Sequence, residues 1–135
     1  MTEETDTVPT GANILLVEDE VNIALALKFL MERMGHVVTH IDDGAVALEQ
    51  IEALAPDLVL LDVTLPGASG YEICQHIRAC RGLDATRVLV LTARGADIER
   101  RKALALGADG FMSKPFEMAD LQAWVTELLA HPREV

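Results

Sequence analysis

Short apolar segments alternate with amphipathic segments along most of the chain. Three of the short segments are apolar at every position: ILLV at 14–17, LVLL at 58–61 and VLVL at 88–91. Strands that are apolar on both faces belong in the middle of a parallel sheet with helices on both sides. Two other candidate strands, VVTH at 37–40 and GFMS at 110–113, carry more polar or small residues and suit the edges of the sheet.

The segments between the strands have the apolar periodicity of helices. Gly35 is placed to cap the first helix at its C-terminus, and the apolar stripe of this helix comprises Ile23, Leu27, Leu30, Met31 and Met34. The stripe of the last helix comprises Met118, Leu121, Val125 and Leu128. The fourth helix, predicted over about 96–106, has a weaker stripe and we expect it to dock less firmly; its basic residues are Arg100, Arg101 and Lys102.

Five strand–helix units predict an α/β fold with a doubly wound, five-stranded parallel sheet. With the second and fifth strands at the edges, the strand order is 2-1-3-4-5, which is the flavodoxin-like arrangement. Ligands of such sheets bind beyond the carboxyl ends of the strands, between the first and third.

The chain of 135 residues suits one domain. We place this domain at 13–131, after an acidic leader at 1–12 that we expect to be flexible and before a short tail at 132–135.

Composition and charge exclude several function classes. Hydrophobic residues make up 50% of the chain and aromatic residues 4%, so the core must be aliphatic. The formal net charge of -11 argues against direct binding of nucleic acid, because a phosphate backbone needs a basic face. No segment has the pattern of a signal peptide or an apolar run long enough to span a membrane. We therefore expect a cytoplasmic protein that binds neither membrane nor nucleic acid.

The cysteines and histidines suggest no metal site at this level. Cys74 and Cys80 are six positions apart in one predicted helix, where they point in different directions and cannot bridge. We interpret them as free thiols in a reducing compartment. The histidines show no metal-ligand spacing with these cysteines and are interpreted as ordinary helix and strand residues: His36, His40, His76 and His131.

Polar residues follow four of the predicted strands at the edge where ligands bind. Glu18 and Asp19 follow the first strand, Asp62 the third, Thr92 the fourth and Lys114 the fifth. Two carboxylates ~4 Å apart repel by roughly 4 kcal/mol at an effective dielectric constant near 20, so the acidic group needs protons or a cation. Carboxylate oxygens at this density favour Mg2+, beside which a carboxylate can attack a phosphoryl group. Lysine would balance the phosphoryl charge and threonine would donate a hydrogen bond.

Each of these residues alone also suits a helix cap, a turn or a solvated surface position. Together with their neighbours they resemble the signature of receiver domains of two-component response regulators. The resemblance is carried by ILLVEDE at 14–20, DVTLP at 62–66 with Gly70, VLTA at 90–93 and KPF at 114–116. It covers nearly the whole chain, from residue 13 to about residue 130. Spacings of 30 residues from Asp62 to Thr92 and 22 from Thr92 to Lys114 also agree with this family.

The resemblance implies a role for each matching residue. Asp62 would be the phosphoacceptor. The Mg2+ site would comprise Glu18, Asp19, Asp62 and the backbone carbonyl of Thr64, and Asp19 would be the direct ligand of the acidic pair. Thr92 and Lys114 would contact the phosphoryl group. The remaining implied features are room for that group beside small Ala93, a switch at Phe111 and a cis peptide bond between Lys114 and Pro115.

The resemblance also implies partners. A sensor histidine kinase or phosphotransfer protein would supply the phosphoryl group, and autodephosphorylation would be the chain's only other chemistry. The surface of the fourth helix, fifth strand and fifth helix would then bind a downstream effector or a second copy. Three departures are mild: Glu18 stands where Asp is more frequent, Leu65 replaces a common Met, and Phe111 lacks the hydroxyl of the alternative Tyr.

Three alternatives are less consistent with the residues. An Mg2+-dependent phosphatase of the haloacid dehalogenase type also forms an aspartyl phosphate, but it would carry a second Asp where this chain has Thr64. A flavodoxin-like electron carrier would have a Ser/Thr and Gly phosphate loop after the first strand, where this chain has acidic residues. A degenerate receiver is disfavoured because the acidic, Thr and Lys set is present. The sequence leaves open the cognate kinase, the output, the phosphoryl lifetime and the oligomeric state.

Overall fold

A computed structural model describes residues 10–92 and 97–131, together with Arg133. Its five strands form one parallel sheet in the order β2-β1-β3-β4-β5, which confirms the predicted topology and both predicted edges. The strands are β1 (Asn13–Val17), β2 (Val37–Ile41), β3 (Leu58–Asp62), β4 (Arg87–Thr92) and β5 (Gly110–Ser113). The α-helices are α1 (Val21–Arg33), α2 (Gly44–Leu54), α3 (Gly70–Ala79), α4 (Asp97–Ala105) and α5 (Met118–Ala130), and a short 3-10 helix spans Arg81–Leu83.

Two aliphatic cores lie on opposite faces of the sheet. Successive strand residues point to opposite faces, so Leu15 joins the core beneath α2, α3 and α4, whereas Leu16 joins the core beneath α1 and α5. Every residue of β3 is buried because helices cover both of its faces. The buried residues of α3, Gly70, Ile73, Cys74 and Ile77, recur at helical spacing.

The helix termini carry local signals that position the loops around the sheet. The Asp43 side chain caps α2 by accepting hydrogen bonds from the backbone N–H groups of Ala45 and Val46. Ser69 and Glu72 form a reciprocal capping box at the start of α3. Gly35, which was predicted to end α1, follows the C-cap residue and has a φ of 96°, a conformation that favours glycine.

The buried face of α5 differs from the predicted apolar stripe of the last helix. The buried residues of α5 are Leu121, Val125 and Leu129, whereas Met118 is 41% exposed and Leu128 is only partly buried. A strict spacing of four places Leu129, not Leu128, on the face that meets the sheet. Of the nine residues of α4, Ala103 alone is buried, which agrees with the weak docking expected of this helix.

Two residues at the end of the predicted leader make backbone hydrogen bonds. The Gly11 N–H donates to the Gly35 carbonyl, and the Val37 N–H donates to the Ala12 carbonyl. Within the described residues, none of the helices combines the length and apolar character that a membrane span requires.

Candidate functional site

The predicted site residues converge at the carboxyl edge of the sheet. Asp62 is the last residue of β3, Thr92 is the last of β4, and Glu18 and Lys114 directly follow β1 and β5. Because β1, β3, β4 and β5 are consecutive neighbours in a parallel sheet, their carboxyl ends meet at one edge. Topology therefore brings together residues that lie far apart in the sequence.

Three carboxyl groups form the centre of this site. Oxygen atoms of Glu18, Asp19 and Asp62 all lie within 4.8 Å of one another. Glu18 is fully buried and Asp62 is 7% exposed, whereas Asp19 is exposed. The acidic cluster therefore has a buried floor and an exposed rim, through which a ligand can enter from solvent.

Lys114 supplies the positive charge at the floor of the site. Its Nζ lies 2.8 Å from Glu18 Oε1 and 3.3 Å from Asp62 Oδ2, and its side chain is only 14% exposed. One ammonium group thus bridges two buried carboxylates that come from different strands. The cluster has more acidic than basic groups, so it retains negative charge that a cation can balance.

This imbalance changes the acidity of Asp62 and Lys114. Burial and repulsion from Glu18 raise the pKa of Asp62 from 3.8 to about 6, although Lys114 and the Thr64 N–H partly oppose this rise. For Lys114, burial favours the neutral amine, but hydrogen bonding to Glu18 and attraction to Asp62 raise its pKa above the usual value. Lys114 is therefore cationic, and Asp62 is a carboxylate whose charge is poorly stabilised without a further cation.

Backbone groups hold the acidic residues in place. The Thr64 N–H donates to Asp62 Oδ1 at 3.3 Å, and the Glu20 N–H donates to Glu18 Oε2 at 3.1 Å. Gly70 allows α3 to begin against the end of β3, because a Cβ added there would lie 2.3 Å from the Asp62 backbone oxygen. These contacts orient the two buried carboxyl groups toward the common pocket.

The opposite side of the pocket is formed by the ends of β4 and β5. The Lys114 N–H donates to the Thr92 carbonyl at 2.7 Å, and the Lys114-Pro115 peptide bond is cis, as the resemblance implied. Thr92 is fully buried, and Phe111 is half-buried against the core beneath α2, α3 and α4. Ala93, predicted to leave room for a phosphoryl group, lies outside the described residues.

The donor set is suited to a hard divalent cation. Carboxylate oxygens crowd the site, and Mg2+ prefers a few such ligands while retaining positions for water or phosphate oxygens. The exposed side chain of Asp19 lies at the rim, where a hydrated ion would arrive. The residues present therefore fit Mg2+.

Comparison with known proteins identifies the family of the chain. A sequence profile described as the response regulator receiver domain matches residues 14–126. The chain belongs to this receiver-domain family. Membership agrees with the observed fold, and it gives no support to the phosphatase alternative.

Several relatives of this receiver domain are longer regulators. The sensory transduction protein RegX3 of Mycobacterium tuberculosis is 37% identical over 117 residues, which cover 87% of this chain and 50% of RegX3. The alkaline phosphatase synthesis transcriptional regulatory protein PhoP of Bacillus subtilis is 38% identical over 116 residues, which cover 86% of this chain and 48% of PhoP. The chain thus spans about half the length of these curated relatives.

Solved receiver domains share its architecture. The receiver domain of the sensor histidine kinase PA1611 from Pseudomonas aeruginosa has a magnesium ion coordinated in its active site cleft. The PA1611 domain superimposes on this chain with a TM-score of 0.82 at 30% sequence identity, and the alignment covers 90% of this chain and 100% of the PA1611 domain. The BeF3-activated receiver domain of DrrB, from Thermotoga maritima, gives a TM-score of 0.81 at 34% identity with the same coverage.

A second group of side chains of metal-ligand types lies away from the acidic cluster. Atoms of Glu52, His76 and Cys80 lie within 4.8 Å of one another, on α2 and at the end of α3. The sequence interpretation found no metal-ligand spacing between a histidine and a cysteine, and it did not foresee that His76 and Cys80 lie this close together. Their separation of four residues was a usable signal, because residues four apart share a helix face. Both cysteines are free, as predicted.

Proposed function

We propose that this receiver domain accepts a phosphoryl group on Asp62 from a phosphohistidine of a sensor histidine kinase or phosphotransfer protein. The observation that carries the proposal is the placement of Asp62 between a second buried carboxylate and a lysine, with oxygen ligands for Mg2+ at the rim. In the transfer, the P–N bond to histidine breaks and a P–O bond to Asp62 forms. The histidine nitrogen regains its lone pair and can take a proton from solvent.

The chain's own residues position and stabilise the transferred group. Lys114 Nζ lies 3.3 Å from Asp62 Oδ2. At this distance its ammonium group can contact the phosphoryl oxygens that carry the negative charge after transfer. The Thr64 N–H holds Oδ1 and limits rotation of the carboxyl group. The 2.8 Å contact between Lys114 Nζ and Glu18 Oε1 would anchor the lysine while its second partner changes.

The residues proposed to hold Mg2+ are Glu18, Asp19, Asp62 and the backbone carbonyl of Thr64. When bound, the ion would reduce the repulsion between Asp62 and an incoming phosphate. Two observations support this assignment: carboxylate oxygens of three residues lie within 4.8 Å of one another, and the related PA1611 receiver domain coordinates magnesium in its active site cleft.

Phosphorylation would then alter the surface formed by α4, β5 and α5. In this proposal the hydroxyl of Thr92 moves toward the phosphoryl group, with Ala93 leaving room beside it, and Phe111 fills the vacated space. The half-buried position of Phe111 and the shallow docking of α4 support such a population shift. The altered surface would bind a downstream effector protein or a second copy of the chain.

The wider role follows from the longer relatives. Several are named transcriptional regulatory proteins and are about twice the length matched here. We propose that this receiver controls an output carried by a separate module or protein, and that direct nucleic-acid contact is not made by the receiver, whose net charge is -11. We also propose that the chain acts in the cytoplasm and that its own chemistry is limited to phosphorylation and autodephosphorylation at Asp62.

The proposal is tested by incubating the chain with Mg2+ and acetyl phosphate and measuring phosphorylation by intact mass. One phosphoryl group should be gained, and it should be lost in Asp62→Asn but retained in Asp84→Asn, a matched change at an exposed carboxyl group. Amide NMR with beryllofluoride and Mg2+ should show shifts that require Asp62. Phosphorylation that persists in Asp62→Asn, or steady turnover of a phosphomonoester, would refute the proposed function.

A further inference from the structure

Glu52, His76 and Cys80 form a compact side-chain cluster away from the acidic site. Glu52 lies near the C-terminal end of α2, His76 lies in the last turns of α3, and Cys80 is the C-cap residue of α3. Both helices run antiparallel to the strands, so their C-terminal ends lie near the start of the strands. Asp62 is at the opposite edge, where β3 ends and α3 begins. The cluster is therefore separate from the phosphorylation site.

Local structure explains why these residues meet. His76 and Cys80 are four positions apart, which places them on one side of α3 next to its buried face. Buried Ile51 anchors α2 in the same core as Ile77 of α3, and Glu52 follows Ile51 directly. The packing of α2 against α3 thus brings an acidic oxygen to the helix face that carries the imidazole and the thiol.

The three ligand atoms have the spacing of a metal site. Glu52 Oε2 lies 3.1 Å from His76 Nε2 and 3.4 Å from Cys80 Sγ, and the sulfur lies 3.6 Å from the same His76 nitrogen. In a tetrahedral zinc site, metal distances of about 2.0–2.1 Å to N and O and about 2.3 Å to S separate the ligand atoms by roughly 3.3–3.6 Å. Small side-chain movements would therefore convert this hydrogen-bonded triad into three vertices of a tetrahedron.

We propose that Glu52, His76 and Cys80 bind Zn2+ and that the fourth position is open to water. A thiolate, an imidazole and a carboxylate form a mixed donor set that selects Zn2+ over Mg2+, which prefers oxygen ligands alone. The Glu52 side chain is 63% exposed and that of His76 is 33% exposed, so an ion can reach the site from solvent. The chain would thus carry two metal sites of different chemistry.

Binding replaces the existing hydrogen bonds with coordination bonds. The Cys80 thiol now donates to Glu52 Oε2, and it would lose this proton to solvent as the sulfur binds Zn2+. The proton that His76 Nε2 shares with Glu52 Oε2 passes to solvent while Nδ1 takes one up, so the imidazole stays neutral. Nε2 and the Glu52 carboxylate then each contribute a lone pair, and no oxidation or reduction occurs. A bound ion would tie α2 to the end of α3 and stabilise the folded state by mass action.

The experiment titrates the full reduced chain with Zn2+ by isothermal calorimetry, with excess Mg2+ present to compete for the acidic site. One equivalent should bind, and His76→Gln, Cys80→Ser and Glu52→Gln should each weaken binding by at least about 10-fold. His131→Gln is a matched control, since His131 Nε2 also lies 3.1 Å from a glutamate oxygen, that of Glu127. That variant should bind Zn2+ as the wild type does.

Cobalt substitution gives a second readout that depends on coordination and not on affinity alone. The Co2+ complex should show a sulfur-to-metal charge-transfer band and the intense visible absorption of a tetrahedral ion, and both should vanish in Cys80→Ser. Failure to bind Zn2+, or equal binding by wild type, His76→Gln and Cys80→Ser, would overturn the proposal. Either outcome is independent of phosphorylation, since none of the substituted residues lies at the acidic site.

Discussion

Replacement of Asp62 by Asn should stabilise the metal-free receiver. The charged form of Asp62 is disfavoured in the folded state because burial and Glu18 raise its pKa from 3.8 to about 6. An acid with a raised pKa in the folded state destabilises that state above this pKa, and the penalty disappears as the pH falls below the unfolded value. Asparagine has a similar shape and no charge, and Lys114 keeps its 2.8 Å contact with Glu18.

The pKa values set the size of the effect. The difference between 3.8 and about 6 corresponds to about 3 kcal/mol at pH 7.5. The exposed rim of the site admits water and reduces this value, so we expect a gain of about 1–3 kcal/mol in the free energy of unfolding. At pH 5, Asp62 is largely protonated in the folded wild type. The increase in the free energy of unfolding caused by Asp62→Asn should therefore fall to roughly half of its value at pH 7.5.

Urea unfolding in EDTA, followed by circular dichroism at pH 7.5 and pH 5, measures this difference. Asp84→Asn serves as the control, because it removes a charge from an exposed carboxyl group and should leave stability nearly unchanged. Adding Mg2+ should narrow the gap, since the ion stabilises the wild type more than the variant. A metal-free Asp62→Asn variant that is less stable than wild type at pH 7.5 would refute the electrostatic reasoning.

Three further substitutions test the scaffold around the site, each by urea unfolding. Thr86→Val should cost about 1–3 kcal/mol because the buried hydroxyl donates to the Pro56 carbonyl at 2.8 Å, and an unchanged midpoint would contradict this role. Gly70→Ala should destabilise the fold by more than about 1 kcal/mol and weaken Mg2+ binding, since its Cβ would meet the Asp62 backbone oxygen at 2.3 Å. Asp43→Ala should cost about 1 kcal/mol by removing the cap of α2, whereas Asp43→Asn should retain most of that stability.

The sheet could be predicted almost completely from the sequence because its central strands are apolar on both faces. That pattern identified β1, β3 and β4 to within one residue at each end, and the more polar edge strands followed from the remaining segments. Helix faces were harder to predict. In α5 both Leu128 and Leu129 are apolar, and only packing against the sheet shows that Leu129 is the more deeply buried.

Different parts of the functional chemistry were predictable to different degrees. The convergence of Glu18, Asp62 and Lys114 followed from topology, since parallel strands end at one edge. Their burial and the shared ammonium contact required coordinates, because these properties depend on side-chain packing between distant segments. The cluster of Glu52, His76 and Cys80 was not predicted, because Glu52 lies in α2 whereas the other two residues lie in or at the end of α3. The four-residue spacing of His76 and Cys80 could have prompted a search for a third ligand.

Lys114 makes the electrostatics of the site depend on the last strand of the sheet. It lies 96 residues after Glu18 and 52 residues after Asp62. A nascent or truncated chain that ends after β4 would already contain its crowded carboxylates but would lack the ammonium group that restrains them. The charge balance of the site is therefore complete only in a chain that includes β5.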